Sequence, residues 1–97
     1  MDNVILWDIK TGQQIRTFNP HRMALTSMGI VISQGDEKFV LSGSNDYRAK
    51  LWNLSTGKIV WSQKYGYDVR VATSGNGRRG VISADSDPVL INFDFNR

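Results

Sequence analysis

One eight-residue phrase occurs twice in the chain at a fixed distance. Residues 5–12 read ILWDIKTG and residues 50–57 read KLWNLSTG. Trp7 and Trp52, which hold the same place in the two copies, are 45 residues apart. A more divergent third copy follows at an offset of 41, which aligns Phe93 with Trp52. A period of about 40 to 45 residues is typical of structural units that stack side by side and bury their faces against one another.

Short runs rich in Val, Ile, Trp and Phe alternate with clusters of Gly, Asn, Asp and Ser along the chain. No segment keeps a helical apolar period over more than two turns. Runs of this kind predict β-strands joined by short turns, so the predicted fold class is all-β. The nine predicted strands are residues 4–9, 14–18, 25–33, 38–43, 49–54, 58–62, 69–73, 80–83 and 89–94.

Composition narrows the class of protein. The 97 residues are 40% hydrophobic and 22% charged, which is the balance of one small globular domain. There is no long apolar run, no basic and apolar start typical of a secretory signal, and no cysteine. We therefore expect an intracellular, cytoplasmic protein, with the nucleus left open and no membrane partner. The net charge of +3 is mild and its basic residues are scattered, so a nucleic-acid partner is left open but not indicated.

The most complete copy of the repeat carries a family resemblance. Residues 42–46, SGSND, followed by Trp52-Asn53, resemble the repeat of the WD-repeat (WD40) family of β-propellers. Trp7-Asp8 and Phe93-Asp94 match the dipeptide that ends the third strand, called c, of each blade in that family. The resemblance implies a partial β-propeller of about two blades, each a four-stranded antiparallel sheet.

The resemblance also divides this single repeat region into three parts. Residues 1–18 would supply strands c and d of a first blade, residues 19–63 a complete central blade, and residues 64–97 a third blade lacking strand d. Known propellers close with about 4 to 8 blades. We therefore expect the chain to be a fragment of a larger propeller or, alternatively, to self-associate, so that its open blade faces are covered.

In this family a buried hydrogen-bond network holds each blade together. The residues that the resemblance assigns to this network in the central blade are His21, Ser42, Asp46 and Trp52. In the third blade it assigns Ser83 and Asp87, with Tyr67 and Phe93 at the positions of the imidazole and the indole. Because these two substitutions remove an imidazole and an indole N–H, the third blade is expected to depend more on packing.

Three features also admit a chemical interpretation. Ser42, His21 and Asp46 are the residue types of a hydrolase triad, but they fall on the network positions and no Gly-x-Ser-x-Gly elbow exposes the serine. Residues 75–80, GNGRRG, match a dinucleotide fingerprint, yet the sequence that follows predicts a strand where that site needs a helix. One histidine, no cysteine and the two aspartates within 85–87 are too few ligands for zinc or calcium. We expect no catalytic residue, no metal and no cofactor.

The resemblance implies a rigid scaffold that presents loops and blade rims to protein or peptide partners. The candidate partner-binding residues on predicted loops and outer strands are Arg48, Trp61, Arg78 and Arg79. The alternative function is binding of nucleic acid or another anionic ligand through basic residues, namely Arg48, Lys50, Arg70, Arg78 and Arg79. A hydrolase that uses the Ser-His-Asp trio is the remaining alternative.

Overall fold

Nine β-strands make up the fold within the residues that the structure describes. The computed structural model describes residues 3–33 and 35–84, and the backbone of residues 89–92. The strands are β1 (Val4–Trp7), β2 (Gln14–Phe18), β3 (Leu25–Ile32), β4 (Lys38–Ser44), β5 (Arg48–Asn53), β6 (Ile59–Lys64), β7 (Arg70–Thr73), β8 (Arg79–Ser83) and β9 (Val89–Asn92). Each strand begins within one residue of its predicted start, and the predicted all-β fold class is confirmed. This part of the chain contains no helix long and apolar enough to cross a membrane.

The described strands form three sheets in chain order. β1 and β2 form a two-stranded sheet, β3 to β6 a four-stranded sheet, and β7 to β9 a three-stranded sheet. Every neighbouring pair is antiparallel. We call them the first, middle and third sheets. The middle sheet ends at Lys64, one residue beyond the predicted limit at residue 63, and the division into regions 1–18, 19–63 and 64–97 stays a prediction.

The repeated phrase adopts the same turn at both of its positions. Asp8 and Asn53 each accept, through Oδ1, a hydrogen bond of 2.8 Å from the backbone N–H two residues later. Gly12 and Gly57 follow with φ of 74° and 76°, and each N–H donates at 2.7 Å to the carbonyl of that Asp or Asn. A positive φ favours glycine because it has no Cβ. The turn geometry therefore explains why both copies end in Thr-Gly.

The inner strand β4 of the middle sheet is covered on both faces. Along β4, every residue from Phe39 to Ser44 is buried, so the strand shows no alternation of exposed and buried positions. Successive side chains of a strand point to opposite faces, which is why Leu41 joins one apolar cluster and Val40 the other. The cluster shared with the third sheet consists of Val31, Phe39, Leu41, Ala49, Leu51, Val69, Val71, Ile82 and Ala84. The cluster shared with the first sheet consists of Val4, Phe18, Val40 and Trp52.

Hydrogen bonds between side chains of β3 and backbone groups join the middle sheet to β7 and the loop before it. The N–H of Val71 donates to Ser27 Oγ at 2.6 Å, and Thr26 Oγ1 donates to the carbonyl of Val69. At the same junction, a Cβ added to Gly43 would lie 2.6 Å from the Val69 carbonyl oxygen. The two sheets therefore approach so closely that the sequence must place a glycine on β4.

Candidate functional site

Four side chains of the middle region form one continuous hydrogen-bond chain. Trp52 Nε1–H donates to Ser42 Oγ at 3.0 Å, and Ser42 Oγ lies 2.8 Å from His21 Nε2. His21 Nδ1 lies 2.9 Å from Asp46 Oδ2. Because an indole N–H can only donate, the serine hydroxyl donates to Nε2, and a neutral imidazole protonated at Nδ1 donates to the carboxylate. This assignment gives each of the four side chains a hydrogen-bond partner.

The four residues come from different elements, and Ser42 joins them because its oxygen bonds to both His21 and Trp52. Ser42 lies on β4 and Trp52 on the paired strand β5. His21 lies in the loop before β3, and Asp46 lies in the turn between β4 and β5. The Asp46 carboxylate also accepts two backbone N–H bonds, at 3.0 and 3.3 Å. The chain of bonds therefore fixes a loop and a turn against the core of the sheet.

Burial and hydrogen bonding together set the protonation states of His21 and Asp46. It lowers the pKa of His21 below its ordinary value of 6.5, although the hydrogen bond to Asp46 and the charge of Asp46 act in the opposite direction. Burial also acts to raise the pKa of Asp46, but the hydrogen bond from His21 and the backbone N–H bonds lower it overall. The two side chains are only 1% and 6% exposed. At neutral pH the pair is therefore a neutral imidazole that donates to a carboxylate.

Stability is expected to fall as the pH drops below neutral. Folding lowers the pKa of His21, so the unfolded chain binds the proton more tightly. The stabilisation by neutral His21 is thus complete above 6.5 and is lost as the pH falls below that value. The corresponding loss for Asp46 lies lower, below 3.8. Urea unfolding between about pH 7.5 and pH 5.5 should show a decreasing free energy of unfolding.

A histidine variant provides the control for this pH dependence. His21 is the one histidine of the sequence. The variant His21→Gln should therefore be less stable at neutral pH and should show a much flatter pH dependence in the same range. A slope that persists unchanged in this variant would contradict the assignment of the acid sensitivity to His21.

The Ser-His-Asp trio has the distances of a catalytic triad, but a substrate cannot reach the serine hydroxyl. Ser42 is 0% exposed, and its oxygen is already bonded to His21 and Trp52. A nucleophile must reach the substrate carbonyl, and donors must surround the developing oxyanion. Burial leaves no route for a substrate to this hydroxyl, which favours a structural role. Among the described residues, no group of three or more acidic or histidine side chains could hold a metal ion.

The residues predicted for a network in the third sheet are only partly described. Ser83 is exposed, and Tyr67 is 65% exposed, so neither is buried as the middle-sheet residues are. This differs from the expectation, because Val81 and Ser83 share the face of β8 that points away from the apolar cluster containing Ile82. Asp85, Asp87 and Phe93 lie outside the described residues.

Residues 75–80 cover most of the turn between β7 and β8 and the first two residues of β8. Gly77 has φ of 72°, and its N–H donates to the Ser74 carbonyl at 2.9 Å. Its carbonyl accepts a bond of 3.0 Å from the N–H of Ile32 at the end of β3. A strand follows directly, whereas a dinucleotide site needs the N-terminus of a helix. The glycines are therefore explained by the turn and by its close contact with β3.

The structure distributes the four predicted partner-binding residues over separate places. Trp61 on β6 is partly buried and packs against the cluster shared with the third sheet, so its ring contributes to packing. Arg48 begins β5, at the end of the middle sheet where β3 also begins. Arg78 and Arg79 are exposed in the β7–β8 turn and at the start of β8, near the other end of β3. These residues do not form one binding surface.

The proposed anion-binding set is divided in the same way. Arg48 and Arg70 start their strands at one end, whereas Arg78 and Arg79 lie at the other. Lys50 Nζ donates to the carbonyl of Pro20 at 2.7 Å, so this cation is engaged within the chain. Nucleic-acid binders usually gather their cations on one face. The structure therefore does not assemble the five residues into a single basic surface.

Sequence reasoning missed an apolar groove between the first and middle sheets. The groove has a volume of about 250 Å³ and is lined mainly by β1 and by one face of β3. Met28 and Ile30, on that face, remain 54% and 41% exposed. Clustered exposed apolar side chains mark a place where another element or another protein packs. The two-residue spacing of Met28 and Ile30 was the available signal, since it puts both on the face opposite Val31.

Comparisons with known proteins give several partial matches. No protein-family model matches the chain. GID complex subunit 7 of Schizosaccharomyces pombe is 31% identical over 55 residues, which is 57% of this chain and 11% of that protein. Retinoblastoma-binding-like protein E of Dictyostelium discoideum is 30% identical over 94 residues, or 93% of this chain and 17% of that protein. Set1 complex component swd1 of S. pombe is 32% identical over 59 residues, or 61% and 14%.

The chain spans less than a fifth of the length of each of these three relatives. A solved structure gives the same picture for the fold. The β-propeller domain of Myceliophteria thermophila Cps50 (Swd1) matches with a TM-score of 0.70 and 22% identity, covering 93% of this chain and 29% of that chain. The predicted β-propeller fold is thereby confirmed.

Proposed function

The chain belongs to the WD-repeat family of β-propellers, and from this premise we propose that it is a non-catalytic scaffold module that binds other proteins or peptides. Two of its relatives are named as parts of protein complexes, the GID complex and the Set1 complex. The observation that carries the proposal is a contrast within this chain. The serine of the Ser-His-Asp trio is buried, with Ser42 at 0% exposure, whereas large apolar side chains such as Met28 are exposed to solvent. A cytoplasmic location is part of the same proposal.

We also propose that the three sheets are blades of one propeller. The middle sheet has the four strands of a complete blade, β3 to β6 as strands a to d. By the same order, β1 and β2 would be strands c and d of the first blade, and β7 to β9 would be strands a to c of the third. The apolar groove beside β1 then lies where strands a and b of the first blade would stand. Strands from the rest of a larger propeller, or from another chain, would fill it.

Isolation of the tagged full chain with chemical crosslinking tests the scaffold role. We expect reproducible crosslinks to at least one other protein and no hydrolysis of p-nitrophenyl esters that depends on Ser42. The physical reason is that open apolar faces favour association, whereas the buried hydroxyl cannot reach a substrate. Hydrolysis that Ser42→Ala abolishes, in a chain without crosslinked partners, would contradict the proposal and restore the enzyme alternative.

A matched pair of glycine variants controls this experiment. Gly43→Ala introduces a Cβ that would lie 2.6 Å from the Val69 carbonyl oxygen, whereas a Cβ on Gly75 meets nothing within 4 Å. We therefore expect partner capture to be lost with Gly43→Ala and kept with Gly75→Ala. This comparison separates binding that needs the assembled sheets from nonspecific adhesion of an unfolded chain.

A further inference from the structure

One end of the middle and third sheets carries a surface that combines cations with exposed aromatic rings. We call it the basic-aromatic patch, and its members are Arg22, Tyr47, Arg48, Lys64, Tyr67 and Arg70. β3 and β5 begin at this end of the middle sheet, and β4 and β6 end there. β7 begins at the same end of the third sheet. The members therefore come from four loops or strand ends that meet at one place.

Backbone hydrogen bonds hold these loops together. The N–H of Tyr65 donates to the carbonyl of Tyr47 at 2.7 Å, and the N–H of Val69 donates to the carbonyl of Ser44 at 3.1 Å. The N–H of Arg22 donates to Asp46 Oδ2 at 3.3 Å, which attaches the loop before β3 to the same turn. The patch is therefore built on an ordered frame that includes the buried chain of hydrogen bonds.

The cations of the patch lack compensating partners within the described residues. Arg48 and Lys64 lie directly opposite each other in the β5–β6 pair, an arrangement in which like charges repel. In the part of the chain that the structure describes, no ion pair or hydrogen bond engages the charged side-chain groups of these four residues, Arg22, Arg48, Lys64 and Arg70. Asp46 is occupied by His21 and backbone N–H groups, and Asp68 is the other described acidic residue nearby. The local charge balance is therefore positive.

The aromatic members are exposed, and one of them has an unusual backbone conformation. Tyr47 has φ of 68° and is 42% exposed, and Tyr67 is 65% exposed. A positive φ is uncommon for a bulky residue, and glycine would adopt it without steric cost. Met23, in the loop before β3, adds an apolar side chain that is 52% exposed. An exposed ring is thus kept at a position where the backbone favours a residue without one.

We propose that the basic-aromatic patch binds an acidic segment of another protein, one in which Asp or Glu residues flank an apolar or aromatic side chain. This inference rests on the proposed scaffold function. Arg and Tyr are the residue types that dominate binding energy in protein interfaces, and guanidinium groups bind carboxylates strongly. The exposed Met23 and Tyr67 favour a peptide over a nucleic acid, whose affinity depends chiefly on the number of cations that contact phosphates.

Fluorescence anisotropy with labelled peptides tests the inference on the full chain. The probe is a twelve-residue peptide of Glu residues around a central Phe, and the control peptide has Gln in place of every Glu. We expect the Glu peptide to bind at least about tenfold more tightly than the Gln peptide at physiological salt. The double variant Arg48→Glu with Lys64→Glu should weaken the Glu peptide by at least about tenfold. The matched control, Arg78→Glu with Arg79→Glu, makes the same change of charge outside the patch and should change affinity by less than about twofold.

A variant of Tyr47 tests whether the aromatic ring contributes to binding without contributing to stability. Tyr47→Gly removes the ring at a position whose φ suits glycine, so the thermal midpoint should be kept while peptide affinity falls at least about threefold. Equal weakening by both double variants would overturn the inference in favour of diffuse charge attraction. Tighter binding of a single-stranded oligonucleotide of equal charge would overturn it in favour of a nucleic-acid surface.

The failure of this inference is distinguishable from failure of the scaffold role. If the Arg48→Glu and Lys64→Glu variant keeps every crosslinked partner of the unmodified chain, the patch is not the binding surface while the scaffold role stands. If the folded, unmodified chain has no protein partner at all, the scaffold role itself fails.

Discussion

Replacing Trp52 with alanine is expected to lower the free energy of unfolding by about 3 to 5 kcal/mol. The indole is 0% exposed, and its ring centroid lies 4.7 Å from that of Phe18 on the first sheet. The change also removes the N–H that donates to Ser42 Oγ at 3.0 Å. A cavity, a lost aromatic contact and a lost hydrogen bond would thus occur at one site. Urea unfolding followed by circular dichroism measures the effect.

Trp7→Ala is the matched control, because Trp7 holds the same place in the repeat 45 residues earlier. This side chain is 53% exposed, so its removal should change the free energy of unfolding by less than about 1 kcal/mol. If the two variants lose similar amounts of unfolding free energy, Trp52 is not more tightly packed than Trp7, which would contradict the structure.

Replacing Gly43 with alanine is expected to lower the free energy of unfolding by about 3 kcal/mol, near the upper end of the usual cost of overpacking. The added Cβ would lie 2.6 Å from the carbonyl oxygen of Val69 and 3.0 Å from its carbonyl carbon. These are backbone atoms, so a change of side-chain rotamer cannot relieve the contact. The middle and third sheets would have to move apart, which would also loosen their shared apolar cluster. Thermal and urea unfolding both report this loss.

Gly75→Ala provides the comparison for this variant. A Cβ at Gly75 meets nothing within 4 Å, and the expected change in stability is within about 0.5 kcal/mol. If Gly43→Ala proves as stable as Gly75→Ala, the close approach of β4 to the loop before β7 does not occur in solution.

Local patterns were sufficient to predict most of the strands. The pairing of Asp8 with Gly12 and of Asn53 with Gly57 depends on residues a few positions apart, so both the turn and the strand ends could be predicted from the sequence. β1 is the clearest exception in length, since it ends at Trp7 although residues 8 and 9 were predicted to continue it. Asp8 is instead drawn into the turn through its own carboxylate.

The buried chain of hydrogen bonds could not be predicted from spacing alone. His21 and Ser42 are separated by 21 residues, and they meet only because the loop before β3 folds over the end of β4. The resemblance to WD repeats predicts this network, whereas charge and hydrophobic periodicity do not indicate it. Ser83 shows the limit of that route, because it lies on the exposed face of β8, whereas Ser42 lies on the face of β4 that is covered by the first sheet.

Surfaces were the least predictable feature. The apolar groove depends on which face of β3 meets the first sheet, and the basic-aromatic patch depends on which loops meet at one end of two sheets. Arg48 and Arg78 look alike in the sequence, yet they lie at opposite ends of the sheets. Tertiary arrangement therefore decides which cations act together, and sequence order does not.

The central claim is that this chain acts by holding other proteins. Crosslinking of the tagged full chain under native conditions tests it most directly, with the set of crosslinked proteins as the measurement. We predict reproducible crosslinks to at least one other protein, present with Gly75→Ala and absent with Gly43→Ala. A folded chain that forms no crosslink to another protein would contradict the claim, and ester hydrolysis that depends on Ser42 would then favour an enzyme.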